Sequence, residues 1–156
     1  MAINLEKGQR INLEKDSGTK LTHFCVGCNW GAVKEKRFFG LSTKTVDVDL
    51  DLSCLMFNTE GNAIDHIYSP LFRFADRKLG LPNGKLDSID RALHHTGDDL
   101  HGDQDGDDGL DNEIITVDLN RVNSQVHSIV FFLNIYNNNE YRGDFSGIPY
   151  ASIRMF

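Results

Sequence analysis

A dense run of carboxylates is the part of this sequence whose residue types and spacing could do chemistry. Half of the residues from Asp98 to Glu113 are acidic, and no lysine or arginine occurs between Ala92 and Asn120. Because like charges at this density repel one another, the segment is either a solvated acidic loop or a site that becomes ordered when it binds a cation. Without its eight acids the chain has 15 acidic and 16 basic residues, so the excess negative charge belongs to this acidic segment.

The composition of the acidic segment favours a hard cation with oxygen ligands. Calcium takes about six to eight such ligands in irregular geometry, and interspersed glycines would let carboxylates and backbone carbonyls converge. The thiolates and imidazoles that favour zinc are not concentrated here. The EF-hand pattern fails, because counting from Asp103 places Asp108 where glycine is required and Ile114 where glutamate is required. The segment therefore predicts a calcium site of another kind.

A predicted strand supplies a second group of carboxylates. In TVDVDLDLSCLMF (residues 45–57), valine and leucine alternate with aspartate. Successive side chains of a strand point to opposite faces, so one face would enter the core while the other carries Asp47, Asp49 and Asp51 at a spacing of about 7 Å. A loop at the end of the sheet beside Asp49 and Asp51 would bring acids from two chain segments together. We expect cation binding there to be coupled to local ordering.

The remaining pattern consists of short strands and turn signals without a long helix, which predicts an all-β fold. We expect a two-sheet β-sandwich with a long acidic metal-binding loop, little helix, and a single domain over residues 1–156. The repeated INLEK at 3–7 and 11–15 predicts a hairpin or two edge strands, and one helical turn is predicted over 74–79. The other strands are predicted over residues 21–30, 62–69, 114–119, 128–136 and 150–156, with a polar loop at 137–139.

Two other constellations could carry chemistry. Cys25 and Cys28 form a CxxC inside a predicted strand, where residues three apart face opposite sides. That placement favours structural cysteines that behave as small apolar residues, with half a zinc site or a redox pair as the alternatives. His94 and His95 beside the acids suggest a hydrogen-bonding role at the entry to the loop, with a transition metal or a general base as the alternative.

Several classes of function are disfavoured by the sequence. No basic patch is evident, which argues against nucleic acid as a partner. No phosphate-binding loop, dinucleotide fingerprint or nucleophile elbow occurs. No segment approaches the ~20 apolar residues of a membrane helix, and the N-terminus has no apolar run typical of a signal peptide. Together with an odd number of cysteines, these features predict a soluble protein of the cytoplasm.

Five segments follow one another over nearly the whole chain: VGCNW (26–30), VDLDLS (48–53), HTGDDLHGDQDGDDGLDNE (95–113), ITVDL (115–119) and FSGIPYASIRM (145–155). In this order they resemble the TerD family, the tellurite-resistance and stress-response proteins of bacteria. The resemblance implies a β-sandwich that binds calcium, usually at two neighbouring sites, with no established enzymatic activity.

The resemblance also implies a set of metal ligands, taken over position by position. Asp99 stands where the family often has asparagine, which is still an oxygen donor. Residues 109–112 intervene before Glu113, where many members run on directly. Many members also continue with further strands beyond Phe156, which implies a short branch of the family or a sandwich that is closed differently. The implied ligands are Asp49 and Asp51 from the strand and Asp98, Asp99, Asp107, Asp108 and Glu113 from the loop, with Asp103 and Asp105 at positions that are commonly acidic but less fixed.

Three functions are compatible with these features. The first is a calcium-binding, non-enzymatic protein of bacterial stress response, tellurite resistance included, that binds other proteins of a stress-response complex, in the cytoplasm or at the membrane surface. The second is a docking module whose bound calcium bridges to anionic lipids or to a protein, with Leu100 and Leu110 as the apolar residues inside the loop. The third is a magnesium-dependent hydrolase, which the lack of nearby lysine and arginine disfavours.

Overall fold

The computed structural model describes residues 8–10, 20–70, 82–136 and 141–156, and in these ranges the fold is all-β, as predicted. Two short 3-10 turns, Phe38–Gly40 and Phe145–Gly147, interrupt the strands. Within the same ranges, no helix has the length and apolar character that crossing a membrane requires. The strands are β1 (His23–Trp30), β2 (Val33–Arg37), β3 (Ser42–Val46), β4 (Asp49–Phe57), β5 (Ala63–Ile67), β6 (Leu93–His95), β7 (Glu113–Asp118), β8 (Ser128–Tyr136) and β9 (Ala151–Met155).

Two antiparallel sheets and a separate hairpin make up the described fold. One sheet has the strand order β6-β7-β1-β9, the other has the order β5-β4-β8, and β2 pairs only with β3. In the first sheet His23 lies opposite Asp118 and Cys28 lies opposite Glu113. The acidic segment therefore leads directly into the start of β7, beside the end of β1.

The core lies between the two sheets, where β4 packs against β1 and β7. Leu50, Leu52 and Met56 of β4 are fully buried, and each such side chain contributes about 2 kcal/mol through the apolar surface it removes from water. Trp30 is also fully buried, and its indole N–H donates to the carbonyl of Val48 at 2.7 Å. This bond fixes the end of β1 against the start of β4, which is the end of the sandwich that carries the acids.

The edge of β4 beside β5 is only partly paired. β5 pairs with β4 from Cys54 to Phe57, whereas β8 pairs with β4 along its whole length from Asp49. The first half of the β5 side therefore has no strand partner among the described residues. Side chains from the other sheet take that place, and these contacts help to form the site.

The strands around the core were predicted well. The predictions for β1, β5, β7, β8 and β9 are confirmed, and each strand end lies within two residues of the predicted position. The prediction of one strand over 45–57 is wrong, because the chain leaves the β2–β3 hairpin after Val46 and enters β4 at Asp49. Both aspartates of β4, which share its polar face, are buried.

Some predictions fall outside the described residues: the repeat at 3–7 and 11–15, the helical turn at 74–79 and the loop at 137–139. The single domain over 1–156 likewise stays a prediction. Two features were not predicted at all, the short strand β6 and the hairpin formed by β2 and β3.

Candidate metal centre

Three carboxylates from two parts of the chain meet at the start of β4, and we call Asp49, Asp51 and Asp98 the inner cluster. One oxygen of each lies within 4.8 Å of the others. Asp49 and Asp51 share a face because they are two residues apart in a strand, and the loop after β6 brings Asp98 to them. Both aspartates of β4 are almost inaccessible, with 4% and 3% exposure.

Burial and mutual repulsion raise the pKa of both strand carboxyls. The pKa of Asp49 rises from the ordinary 3.8 to about 8, first because burial disfavours the charged form and then because Asp51 and Asp98 are close. Burial, Asp98 and Glu113 likewise raise the pKa of Asp51 to about 7, while a hydrogen bond from Asn134 acts in the opposite direction. Near neutral pH a cation would therefore compete with protons for this cluster.

Unpartnered oxygens make the inner cluster suited to a cation. Oδ1 of Asp49 and Oδ1 of Asp98 are buried and have no hydrogen-bond partner among the described residues. The other oxygen of Asp98 accepts from the hydroxyl of Ser69 at 2.8 Å, and Oδ2 of Asp51 accepts from the amide of Asn134 at 3.0 Å. A buried polar atom without a partner costs about 1–3 kcal/mol, and a coordinated cation would remove that cost. The donors are all oxygens and acidic, so these residues fit a hard divalent cation.

Glu113 ties the acidic segment to β4. Its side chain is 1% exposed, and its two oxygens accept the backbone N–H groups of Leu52 at 2.7 Å and Asp99 at 3.0 Å. The Nδ1 of His95 accepts the N–H of Gly97, so Nε2 carries the ring proton and donates to the carbonyl of Leu52 at 3.0 Å. The edge of β4 that β5 leaves open is thus satisfied by a buried histidine–glutamate pair whose atoms lie 3.3 Å apart.

A second group of acids, which we call the outer cluster, consists of Asp103, Asp107 and Asp108. One oxygen of each again lies within 4.8 Å of the others, but this group is more exposed than the inner cluster. Oδ2 of Asp103 accepts from the hydroxyl of Tyr150 at 2.8 Å, and Oδ1 of Asp107 accepts from the amide of Asn29 at 3.1 Å. The amide oxygen of Asn29 is buried without a partner and is a further neutral donor beside this cluster.

Three of the nine predicted ligands lie outside both clusters. Glu113 has the tethering contacts described above. Asp99 accepts from the N–H of His101 at 3.0 Å and from the amide of Asn112 at 3.2 Å. Asp105 is exposed and lines an open groove of about 390 Å³. The structure therefore brings six of the nine residues together in two groups.

Asp111, which was not among the predicted ligands, links the acidic segment to β9. Both of its oxygens accept from Nε of Arg154, at 2.8 and 3.0 Å. Its carboxylate packs over Gly27, where a Cβ would lie 2.1 Å from Oδ2. A glycine is therefore required at this position of β1 to admit the ion pair.

The cysteines and His94 take structural places. Cys28 and Cys54 are fully buried, Cys25 is half-buried, and all three thiols are unpaired. Burial raises the pKa of Cys28 far above its ordinary range and that of Cys54 to about 12, which keeps both thiols protonated and unreactive. His94 contacts the exposed carboxylate of Asp87 at 2.9 Å. These contacts support the structural interpretation over the redox or zinc alternatives.

Sequence reasoning missed the neutral residues that hold the carboxylates. Ser69, Asn134, Asn29 and Tyr150 each donate to an acid of one of the two clusters, and they come from four separate segments. Asn29 lies next to the end of β1 and Tyr150 precedes β9, so the pairing of β1 with β9 is the signal that would have joined them. No local pattern marks Ser69 or Asn134.

Comparison with known proteins agrees with this architecture. The TerD domain model matches residues 1–156. Stress response protein SCP2 of Bacillus subtilis (strain 168) is 36% identical over 158 residues, covering 99% of this chain and 71% of that protein. Tellurium resistance protein TerZ of Serratia marcescens is 33% identical over 86% of this chain and 60% of that protein, and TerX of the same organism is 31% identical over 99% and 72%. The chain thus spans 60–72% of the length of these relatives. It belongs to the TerD family.

Proposed function

We propose that this protein is a calcium-binding, non-enzymatic module of the bacterial stress response, tellurite resistance included. The observation that carries the proposal is the inner cluster, where buried oxygens of Asp49 and Asp98 find no hydrogen-bond partner in the described part of the chain. The similarity to a stress response protein and to tellurium resistance proteins supplies the cellular context.

Calcium suits the two clusters better than the other common divalent ions. Zinc favours nitrogen and sulfur ligands, whereas both groups consist of carboxylates. Magnesium demands octahedral geometry and usually keeps several of its waters, whereas a buried cluster favours an ion that exchanges water for protein oxygens readily. We therefore assign one calcium ion to the inner cluster and a second, more hydrated ion to the outer cluster.

The buried acid–base pair supports a structural role in place of catalysis. Glu113 and His95 form a carboxylate–imidazole pair of the kind that can act as general base and acid. Both are 1% exposed, and their polar atoms bind backbone groups of the chain itself. A general base must reach a substrate proton. The polar atoms of this pair instead bind backbone groups and so join the two sheets.

The proposal extends to location and partners. Three unpaired cysteines are typical of a reducing compartment, so we place the protein in the cytoplasm. Ordering of the acidic segment by calcium would create a defined surface, and we expect that surface to bind other proteins of a stress-response complex. Fractionation of cells and crosslinking with and without a calcium chelator would test both expectations.

Calorimetric titration of the chelator-stripped protein with calcium tests the proposal directly. We expect two binding events, the tighter one with micromolar or lower Kd, as for other protein calcium sites. Asp51→Asn and Asp98→Asn should each remove the tighter event, since both residues contribute an oxygen to the inner cluster. Asp105→Asn is the matched control, because it removes the same charge from the same segment outside both clusters.

Three results of this titration would contradict the proposal. Absence of both binding heat and thermal stabilisation at millimolar calcium would exclude a calcium site. Loss of the tighter event in Asp98→Asn alone, with Asp51→Asn unchanged, would show that Asp51 does not contribute to the site. An equal weakening by Asp105→Asn would show that general negative charge, and not a defined cluster, attracts the ion.

A further inference from the structure

The β2–β3 hairpin ends in an apolar tip that is fully open to solvent. Phe38, Phe39 and Leu41 are 76%, 110% and 89% exposed, and every residue from Lys34 to Thr45 is exposed. Large apolar side chains concentrated at one exposed point of a surface mark an interaction site. Among the described residues, the hairpin contacts the core only through its base, at Val33 and Val46, so that core does not require the side chains of the tip.

The backbone of the tip holds the aromatic rings outward in an unfavourable conformation. Phe38 and Phe39 have φ values of 49° and 57°, and Gly40 has 91°. The left-handed region is disfavoured for bulky side chains, so two phenylalanines there are unusual. A strained backbone that displays exposed rings without burying them points to a binding function.

The arms of the hairpin carry a charge opposite to that of the whole protein. The hairpin contains four cations, Lys34, Lys36, Arg37 and Lys44, and one acid, Glu35, which lies opposite Lys44. Its net charge is therefore +3 in a chain with a net charge of −7. Within the described part of the chain, no ion pair involves any of these four cations. The hairpin thus projects an apolar tip with unpaired positive charge behind it, over a strand length of about 13 Å.

We propose that this hairpin docks the protein on a lipid bilayer that contains anionic lipids. The side chains of Phe38, Phe39 and Leu41 enter the boundary between headgroups and acyl chains, and the cations of both arms contact the anionic headgroups. The position of the apolar tip beyond the cations of the arms favours a bilayer over a protein partner. A bilayer presents charge at its surface and apolar chains below it, which matches an apolar tip that reaches beyond its own cations.

The base of the hairpin is joined to the acidic segment. Asp103 donates its N–H to the carbonyl of Trp30 and accepts the N–H of Ala32, both at 2.9 Å. After β3, Asp47 accepts from the side chain of Gln104 at 2.7 Å. The negative charge at the base of the hairpin opposes docking. Bound calcium should lower that charge and thereby strengthen docking. This last step rests on the proposed function, whereas docking by the hairpin itself does not.

Energy transfer from the single tryptophan to a dansyl-labelled lipid measures docking without an added probe on the protein. Trp30 is separated from the start of β2 by two residues and lies close to the base of the hairpin. The vesicles are phosphatidylcholine with or without phosphatidylserine, each in chelator and in calcium. We expect transfer with phosphatidylserine vesicles in both solutions, more in calcium, and a decrease as salt screens the charges.

Paired variants identify the surface responsible. Phe38→Asn combined with Phe39→Asn keeps residues that tolerate the left-handed turn, and it should reduce partitioning at least about tenfold through the lost apolar area. Lys36→Glu should reduce it at least about fivefold. Ile89→Asn and Arg121→Glu are matched controls, since Ile89 is 80% exposed and Arg121 follows Asp118, at the opposite end of β7 from Glu113.

Several outcomes would overturn the proposal. These are no transfer in either solution, equal losses in the Ile89→Asn control, and calcium-dependent binding that the double asparagine variant leaves unchanged. The last result would assign docking to the metal loop. Self-association of the wild type that the double variant abolishes, with no vesicle binding, would assign the tip to a second copy of the chain. Hairpin-dependent docking that calcium fails to enhance would support docking by the hairpin. It would count only against the proposed metal sites.

Discussion

Loss of one carboxylate from the inner cluster should stabilise the calcium-free protein at alkaline pH and remove the larger part of its stabilisation by calcium. In the folded protein the pKa of Asp51 is about 7 and that of Asp49 is about 8, whereas both return to about 3.9 in the unfolded chain. Between these limits the folded state binds more protons than the unfolded state. The free energy of unfolding of the calcium-free protein therefore falls as the pH rises through the folded pKa values, and is highest below the unfolded ones.

The expected size of this pH effect follows from Asp51. A rise in its pKa from 3.8 to about 7 corresponds to about 4 kcal/mol, at about 1.4 kcal/mol for each pKa unit. The rise at Asp49 is not added, because it includes the same repulsion between the two carboxylates. Against a typical stability of about 5–15 kcal/mol this is a large loss. Calcium at about 1,000 times its Kd would restore about 4 kcal/mol.

Urea unfolding in chelator and in calcium, at a series of pH values from about 4 to about 9, measures this effect. The wild type should lose stability with rising pH in chelator and recover it in calcium. Asp51→Asn should flatten the profile in chelator and remove most of the recovery, whereas the exposed Asp105→Asn should behave like the wild type. A calcium-free wild type that is equally stable or more stable at alkaline pH would refute the reasoning.

Two further predictions concern groups buried behind the site. His95→Phe removes the donor to the β4 edge and should lower the free energy of unfolding by about 2–3 kcal/mol. His94→Phe, at an exposed position, should change it little. Thermal unfolding compares the two variants, and equal effects would contradict the assigned contacts. Iodoacetamide should alkylate the half-buried Cys25 well before the two fully buried thiols, as followed by mass spectrometry, and simultaneous labelling would contradict their burial.

The parts of the fold that the sequence predicted are those with a local signal. The alternation in residues 45–57 identified β4 and placed Asp49 and Asp51 on one face, because side-chain direction in a strand depends only on spacing. The β2–β3 hairpin was missed for the same reason. VKEKR and STKTV bury no face, so neither has an apolar–polar alternation that could reveal a strand.

The parts of the site that escaped prediction depend on long-range pairing. Glu113 is acidic and adjacent to the loop, so sequence alone cannot distinguish a ligand from a residue that binds backbone N–H groups. Its contact with Leu52 exists because β5 stops pairing at Cys54 and leaves the edge of β4 open. Likewise, the residues that orient the clusters come from segments that only the folded sheet brings together.

The position of the acidic segment suggests why one loop would control both the start of β4 and the β2–β3 hairpin. At one point Glu113 fixes it to β4, and at another Asp103 fixes it to the residues between β1 and β2. Between these points lie four of the segment's eight acids, Asp105, Asp107, Asp108 and Asp111. Their mutual repulsion strains both attachments when no cation is present. Calcium would relieve that repulsion and stiffen the base of the hairpin together with the start of β4. We therefore expect metal occupancy to be coupled to the presentation of Phe38 and Phe39, although both phenylalanines are more than sixty residues from Asp103 in sequence.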